Sequence, residues 1–370
     1  MPDRLPDRAT IRAEADRLFS ALQETGAQAV EADILLPAGA LLDLYGEDIR
    51  ARAYVTQDPI RGEMMLRPDF TVPVVQMHMA HGAEPARYCY RGEVFRKQDH
   101  IGARASEYLQ VGYEVFARED PATADAEAFA LFHRLLAPLN LRPATGDMGI
   151  LLAAVRGLNT TGRRKAALLR HVWRPARFRA LLDRFAGRTA LPPARLRLLD
   201  RLRSASPEAL MQAAGPFIGL RTPEEVAARA RSLIEDSAAP PVSHREAALL
   251  DDLLAVSGAA PEALARLQDI AASLPSIAPA VGRFSDRLSA LAALGIDTAA
   301  MPFQASHGRS TLEYYDGFVF SFHADRPGWP PVASGGRYDA LTAVLGQGRS
   351  IPAVGGVIRP GLVAALRAAP

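Results

Sequence analysis

The stretch "RYCYRGEVFRKQDHIGARASEYLQVGYEVF", Arg87 to Phe116, constrains the fold of this chain more than any other. Both ends are strand-like, and the middle crowds Arg96, Lys97, Gln98, Asp99, His100 and Arg104 together, so it reads as two strands joined by a polar loop. In "SEYLQVGYEVF", alternation puts Leu109, Val111, Tyr113 and Val115 on one face and Tyr108, Gln110, Gly112 and Glu114 on the other. The first face is core. The second admits two readings. Gly112 leaves a side-chain-free floor between an amide that donates and accepts and a carboxylate that accepts from cations, a cradle for a small zwitterion. Alternatively the face is open to solvent and Gly112 marks a bulge. The basic loop is open in the same way: its cations can clamp phosphates or carboxylates, or serve solubility at a hairpin tip.

Around this hairpin the elements interleave. "ATIRAEADRLFSALQETG" spaces Ile11, Ala15, Leu18, Phe19 and Leu22 as an amphipathic helix, with Thr10 as cap and Gly26 as stop. "GEMMLRPDFTVPVVQMHMAHG" gives a strand, a turn at Pro68 and Asp69, and a helix; Asp69 with the Thr71 hydroxyl can hold an ammonium group, or Asp69 can cap that helix. "DPATADAEAFALFHRLLAPLN" is a further helix. From about 160 to 290 come consecutive short amphipathic helices separated by Pro, Gly and Ser, and strand signals return with "LEYYDGFVFSFH". The expected organisation is an α/β core over 1–160 and 290–370 interrupted by a helical subdomain over 161–289. "EYYDGFVF" reads as a strand with one tyrosine inward and one outward, and "SGGRYDAL" as a Gly-Gly turn in which Arg337 and Asp339 can pair.

Composition removes several function classes. A net charge of +2 with basic and acidic residues nearly balanced is no nucleic-acid footprint, and nucleic acid is not expected as a partner. The single cysteine, Cys89, excludes an intrachain disulfide and a cysteine-based metal cluster. No secretory signal and no membrane-length apolar run is visible, so the expected location is cytoplasmic, away from membranes. The phosphate-loop, dinucleotide-binding, zinc-protease and nucleophile-elbow motifs are all missing. His78 and His81 in "MHMAH" lack a third ligand, and neither metal nor cofactor is expected.

Taken in order, "LRPDFT", "FRKQ", "YLQVGYEVF", "LEYYDGFVF", "GGRYDAL" and "PAVGGVI" resemble the catalytic core of histidyl-tRNA synthetase. The resemblance is tight over about 64–130 and 312–358, looser over 10–63, and hardly detectable in the helical middle. It implies an α+β fold of the class II aminoacyl-tRNA synthetase type, an antiparallel sheet flanked by helices with a helical insertion. It also turns the cradle into a histidine site. Asp69 and Thr71 match the positions that hold the α-amino group, and Gln110 lies beside the zwitterion. Glu114 matches the carboxylate that takes an imidazole N–H, and Tyr315 and Tyr338 match tyrosines lining the ring pocket. Arg96 matches the arginine that binds the α-phosphate of ATP and the substrate carboxylate.

The departures point elsewhere. The arginine that promotes histidine activation is replaced by Ser310, with Arg309 one place away. The arginine that clamps ATP is replaced by Leu362, after Pro360, which reads as interrupting a helix start. The second arginine of the family's loop run is Ser106, although Arg104 keeps the first, and no anticodon-binding domain is expected before Pro370. A histidine pocket with eroded ATP chemistry looks like the regulatory subunits of ATP phosphoribosyltransferase. That resemblance implies a non-catalytic protein that binds L-histidine and self-associates as a class II-type dimer. Within a hetero-octamer it would activate and feedback-regulate a short-form catalytic subunit of histidine biosynthesis. The rival implication is an active histidine-adenylating enzyme without an anticodon-binding domain.

Overall fold

The computed structural model describes residues 6–39, 51–98, 105–216, 218, 220–309 and 314–368. Among these, nine strands form one sheet in the order β1-β5-β6-β12-β11-β10-β7-β9-β8. The strands are β1 (Gln28–Ala29), β5 (Ala86–Phe95), β6 (Glu107–Phe116), β7 (Arg142–Asp147), β8 (Ser257–Ala259), β9 (Pro302–Gln304), β10 (Phe318–His323), β11 (Ala333–Arg337) and β12 (Ala353–Ile358). All neighbours run antiparallel except β1 with β5 and β7 with β9. A separate antiparallel sheet joins β2 (Leu35–Pro37), β4 (Gly62–Leu66) and β3 (Val55–Asp58).

Helices cover the large sheet. Helix α1 (Arg8–Gln23) buries Ala15, Leu18 and Leu22, as the spacing predicts. Its cap is Asp7, whose carboxylate accepts from the Thr10 N–H at 2.8 Å, so Thr10 sits inside the first turn and does not cap it. Helix α2 (Thr71–His81) follows β4, and α3 (Pro121–Leu136) starts with Pro121 in the first turn, where its missing N–H costs nothing. Alternation in β10 turns Phe318, Phe320 and Phe322 toward α3, where they meet Phe129 and Phe132. The opposite face of the sheet is left for Val319 and Ser321.

After α4 (Met148–Gly157) come the short helices α5 (Gly162–Arg170), α6 (Pro175–Phe185), α7 (Pro193–Ser204), α8 (Pro207–Ala213), α9 (Pro223–Ala238) and α10 (His244–Leu254). Thr222 and Ser243 open α9 and α10 with reciprocal caps to Glu225 and Glu246. The chain rejoins the sheet within the span 161–289. Strand β8 pairs with β9 and, after α11 (Ala260–Ser273), α12 (Ala278–Ala293) lies against α3. Ser257-Gly258-Ala259 has no apolar alternation and so leaves no strand signal in the sequence. The last helices are α13 (Asp339–Leu345) and α14 (Pro360–Arg367). Pro360 occupies the first turn of α14, so it begins that helix and does not interrupt it.

The Gly-Gly pair does not form a turn. Gly335 and Gly336 lie in β11, opposite Gly356 and Gly355 of β12. Bulky neighbours explain this: a methyl on Gly335 would meet the Phe320 ring, and one on Gly336 the Tyr315 ring. Likewise Tyr314 and Tyr315 precede the strand, which starts at Phe318, and both are buried, so the expected inward-outward split does not occur. A turn aims both rings at one place, whereas a strand would have parted them.

Candidate functional site

The hairpin pairs in unbroken register from Ala86 with Phe116 to Phe95 with Glu107, so Gly112 is not a bulge. Nor is its face open to solvent, because Gln110 is 1% and Glu114 0% exposed. The floor at Gly112 is not bare either. Tyr90 stands directly across from Gly112, and its phenol ring lies where a Gly112 methyl would be. From there the Tyr90 hydroxyl donates to Glu114 Oε1 at 2.9 Å. Thr71, in the first turn of α2, donates to the same oxygen at 3.0 Å, and Tyr338 donates to Oε2 at 2.5 Å. The carboxylate fits because it crosses β12 at Gly355, where any side chain would overlap it. Burial pushes Glu114 up to about 7, with the three hydroxyl donors pulling the other way.

Asp69 and Tyr315 are near enough to this carboxylate for the charges to be felt. Asp69, buried between β4 and α2, accepts from the Tyr314 hydroxyl at 3.4 Å, and the Val72 N–H reaches it only at 3.5 Å, a loose cap. Tyr315 is buried edge-on to Tyr314, with ring centres 4.9 Å apart, and burial raises its phenol pKa. Gln110 shares the face of Glu114, and its Oε1 is buried with no hydrogen-bond partner among the described residues. Arg96, just past the end of β5, donates from Nε to the Pro68 carbonyl at 2.8 Å, beside Asp69, and its charge reaches Tyr315. Asp69, Thr71, Arg96, Gln110, Glu114, Tyr315 and Tyr338 are thus brought to one face of the sheet. Sequence reasoning missed Tyr90, Tyr314 and Phe70, whose ring stacks on Tyr90 at 4.4 Å. Matching the hairpin ends would have placed Tyr90 against Gly112.

A buried ionic lattice holds the tyrosines from behind. Arg287 of α12 joins Asp125 at 3.0 Å and Asp147 at 2.7 Å, and Arg337 joins Asp125 at 2.9 Å and Asp339 at 3.0 Å. Asp316, next to Tyr315, accepts the backbone N–H groups of Asp339 and Ala340 at 3.0 and 2.6 Å. Burial, then the nearby Asp339, pushes Asp316 up to about 7. Tyr315 and Tyr338 are therefore flanked by fixed backbone.

Arg96 also lines a cavity of about 380 Å³ with Arg12, Arg52, Arg359, Tyr108 and Trp329, and Leu362 is in its wall. Arg309 is not available to the tyrosine cluster: its Nε donates to the Val172 carbonyl at 2.9 Å, and its guanidinium lies over Phe178. Ser310, Asp99, His100 and Arg104 lie outside the described residues. His78 is a packing residue, bonded through Nδ1 to the Tyr88 hydroxyl at 3.0 Å and stacked on Phe116. Among the described residues no helix is long and apolar enough to cross a membrane. What remains is a buried carboxylate surrounded by neutral hydroxyls, with an amide oxygen that has no donor among the described residues, an arrangement that suits a small ligand rich in N–H groups.

Residues 1–239 and 223–360 match the histidyl-tRNA synthetase family. The chain is 34% identical over 385 residues to an ATP phosphoribosyltransferase regulatory subunit of Mesorhizobium japonicum, covering 100% of both chains. To the protein of that name from Agrobacterium fabrum it is 34% identical over 346 residues, covering 88% of this chain and 89% of the relative. The fold is that of a Bacillus halodurans structure described as an ATP phosphoribosyltransferase regulatory subunit/histidyl-tRNA synthetase. That likeness has a TM-score of 0.67 and 20% identity, over 99% of this chain and 81% of the other. A histidine–tRNA ligase subunit from Alicyclobacillus acidocaldarius shares it at a TM-score of 0.58 and 24% identity, over 99% and 95% of the two chains. The α+β architecture expected from the motif order is the one found.

Proposed function

The chain belongs to the family of ATP phosphoribosyltransferase regulatory subunits, and on that premise we propose that it binds L-histidine in the Glu114 cluster and regulates a short-form catalytic subunit. Its role is regulatory and not catalytic, within histidine biosynthesis. The carrying observation is that Glu114, fully buried among neutral donors, shares a strand face with Gln110, whose Oε1 has no hydrogen-bond partner among the described residues. An imidazole N–H can satisfy the carboxylate and an ammonium group the amide oxygen. Asp69 and Thr71 flank the amino group, Arg96 takes the ligand carboxylate, and Tyr315 and Tyr338 wall the ring. Each contact offsets the desolvation of one ligand group.

Regulation requires that histidine bind two states of the assembly unequally, with a coupling of about 1–3 kcal/mol to the catalytic partner. Self-association as a class II-type dimer within a hetero-octamer with that partner completes the proposal. The commitment of Arg309 to Val172 weighs against the adenylating alternative, since that guanidinium is not free to meet a phosphate. Calorimetry with L-histidine, on wild type and Gln110→Ala, tests the site. Copurification with the short catalytic subunit and a histidine-inhibition assay test the role. Absence of both histidine binding and any effect on catalytic activity overturns the proposal.

A further inference from the structure

The helical insertion gathers several guanidinium groups around one carboxylate. Asp236, near the end of α9, accepts from Arg164 Nε of α5 at 2.7 Å through Oδ1 and from Arg195 Nη2 of α7 at 2.9 Å through Oδ2. Every nitrogen of Arg164 is engaged, since Nη1 donates to the Pro240 carbonyl and Nη2 to those of Asp236 and Ala239, where α9 ends. Arg184, in the last turn of α6, is placed differently. Its guanidinium carbon lies 4.8 Å from the centre of the Phe185 ring, and that of Arg164 lies 5.3 Å from the same centre. Among the described residues Arg184 has no hydrogen-bond or ion-pair partner, and its Nε is buried, as is the Nε of Arg195. Burial, then the charge of Arg195, lowers the Arg184 pKa; Asp236 opposes this, and Arg164 and Arg229 add to it. Arg229 is exposed, seven residues before Asp236 on the same face of α9.

Local structure accounts for only part of this. The C-terminal end of α6 favours one cation, and Arg184 supplies it. Arg195, by contrast, stands in the first turn of α7, the end of a helix that disfavours a cation, and α7 opens with neither a side-chain cap nor an acidic residue. Asp236 cannot balance the group, because each of its oxygens already accepts from an arginine. Packing alone would be served better by apolar side chains, which do not repel one another. A solvated helix face does not fit either, since the Nε atoms of Arg184 and Arg195 are shut off from water. The guanidinium ends are still within reach of a small ion: Arg184 is half-buried and the Arg195 side chain is 22% exposed. The cluster lacks an anion. A phosphate offers oxygens to several guanidinium forks at once and carries nearly two charges, where a carboxylate carries one.

We infer that Arg184 and Arg195 form a binding site for a phosphate group, orthophosphate or the diphosphate of a small molecule, between the end of α6 and the start of α7. The uncapped start of α7 favours the same charge. Phe185 and Asp236 hold the two arginines in place from behind, the first by its ring and the second by its carboxylate. The site is built from elements other than those of the Glu114 cluster and stands whether or not that cluster binds histidine.

The test is calorimetry and thermal unfolding of the full chain with sodium phosphate and with sodium pyrophosphate, the ionic strength held constant with sodium chloride. Wild type is expected to bind saturably and to gain Tm with the anion. Arg184→Gln breaks no hydrogen bond, so in chloride alone it is expected to keep its Tm, while its affinity for the anion falls at least about tenfold. Arg203→Gln, which removes an exposed arginine paired with Asp200, is expected to bind as wild type does. Hydrogen exchange on wild type locates the ion without any variant: slowing at 182–198 supports the site, and slowing confined to other segments overturns it. Tighter binding of pyrophosphate than of phosphate assigns a diphosphate group, and the reverse a single phosphate. No saturable response to either anion, or equal binding by Arg184→Gln, overturns the inference.

Discussion

Replacing Glu114 by Gln should make the empty protein more stable at pH 8 and less stable at pH 5. The wild-type carboxyl is pushed from its ordinary 4.5 up to about 7 in the folded chain. Between those values the folded state keeps a proton that the unfolded state has released, so stability falls as pH rises, by about 1.4 kcal/mol per unit. Above about pH 7 the accumulated cost is therefore roughly 3 kcal/mol, with no discount for screening because the group is 0% exposed. A glutamine carries no charge to desolvate. Its carbonyl can accept from Thr71 and Tyr90, while its NH2 turns toward the Tyr338 oxygen and forfeits one donor, about 1 kcal/mol. The balance is a variant less stable by about 1 kcal/mol at pH 5 and more stable by roughly 2 kcal/mol at pH 8. Urea unfolding of both proteins across this range, followed by circular dichroism, reads the difference directly. Asp316 is raised too but is common to both proteins and cancels. A stability difference that stays flat from pH 5 to 8 would refute the reasoning, since Glu114 would then already be ionised without penalty.

Gly112→Ala places a methyl in the Tyr90 ring and should cost at least about 2 kcal/mol, with loss of histidine binding in calorimetry as Tyr90 leaves Glu114. Arg287→Ala leaves Asp125 and Asp147 without that buried partner; thermal or urea unfolding should show a loss of about 3–5 kcal/mol. Cys89 is buried, and its thiol is pushed up to about 11 by burial. A thiol reagent at pH 8 should therefore label it only as fast as the protein opens, and rapid native labelling would contradict that packing.

Much of this was legible in the chain because period-two alternation is a local signal. The strand from Glu107 to Phe116 and its polar members Gln110 and Glu114 can be read without knowing their neighbours. What surrounds them depends on register and on strand order. Tyr90 covers Gly112 because two distant residues pair, and Glu114 lies over Gly355 because β12 inserts beside β6. Neither adjacency is written in any window of sequence. The double glycine misread as a turn makes the same point, since its function is to admit the rings of Phe320 and Tyr315 from other elements. Aromatic residues favour strands, which places the tyrosine pair in one by propensity, but the strand begins only at Phe318, so local preference is overridden there. Arg309, one place from the expected activating position, shows that proximity in sequence says little about which way a side chain leaves the backbone.

The four glycines that face one another in β11 and β12 have a consequence for how such a protein can change. Gly335, Gly336, Gly355 and Gly356 contribute no walls of their own, and the space above and below them is filled by Phe320, Tyr315, Glu114 and Phe132 from outside the two strands. The strands act as a blank plate and the bordering side chains as interchangeable inserts. Swapping an insert reshapes the chamber while every hydrogen bond of the plate stays in place. Recognition can therefore be re-cut one side chain at a time, with the scaffold held constant.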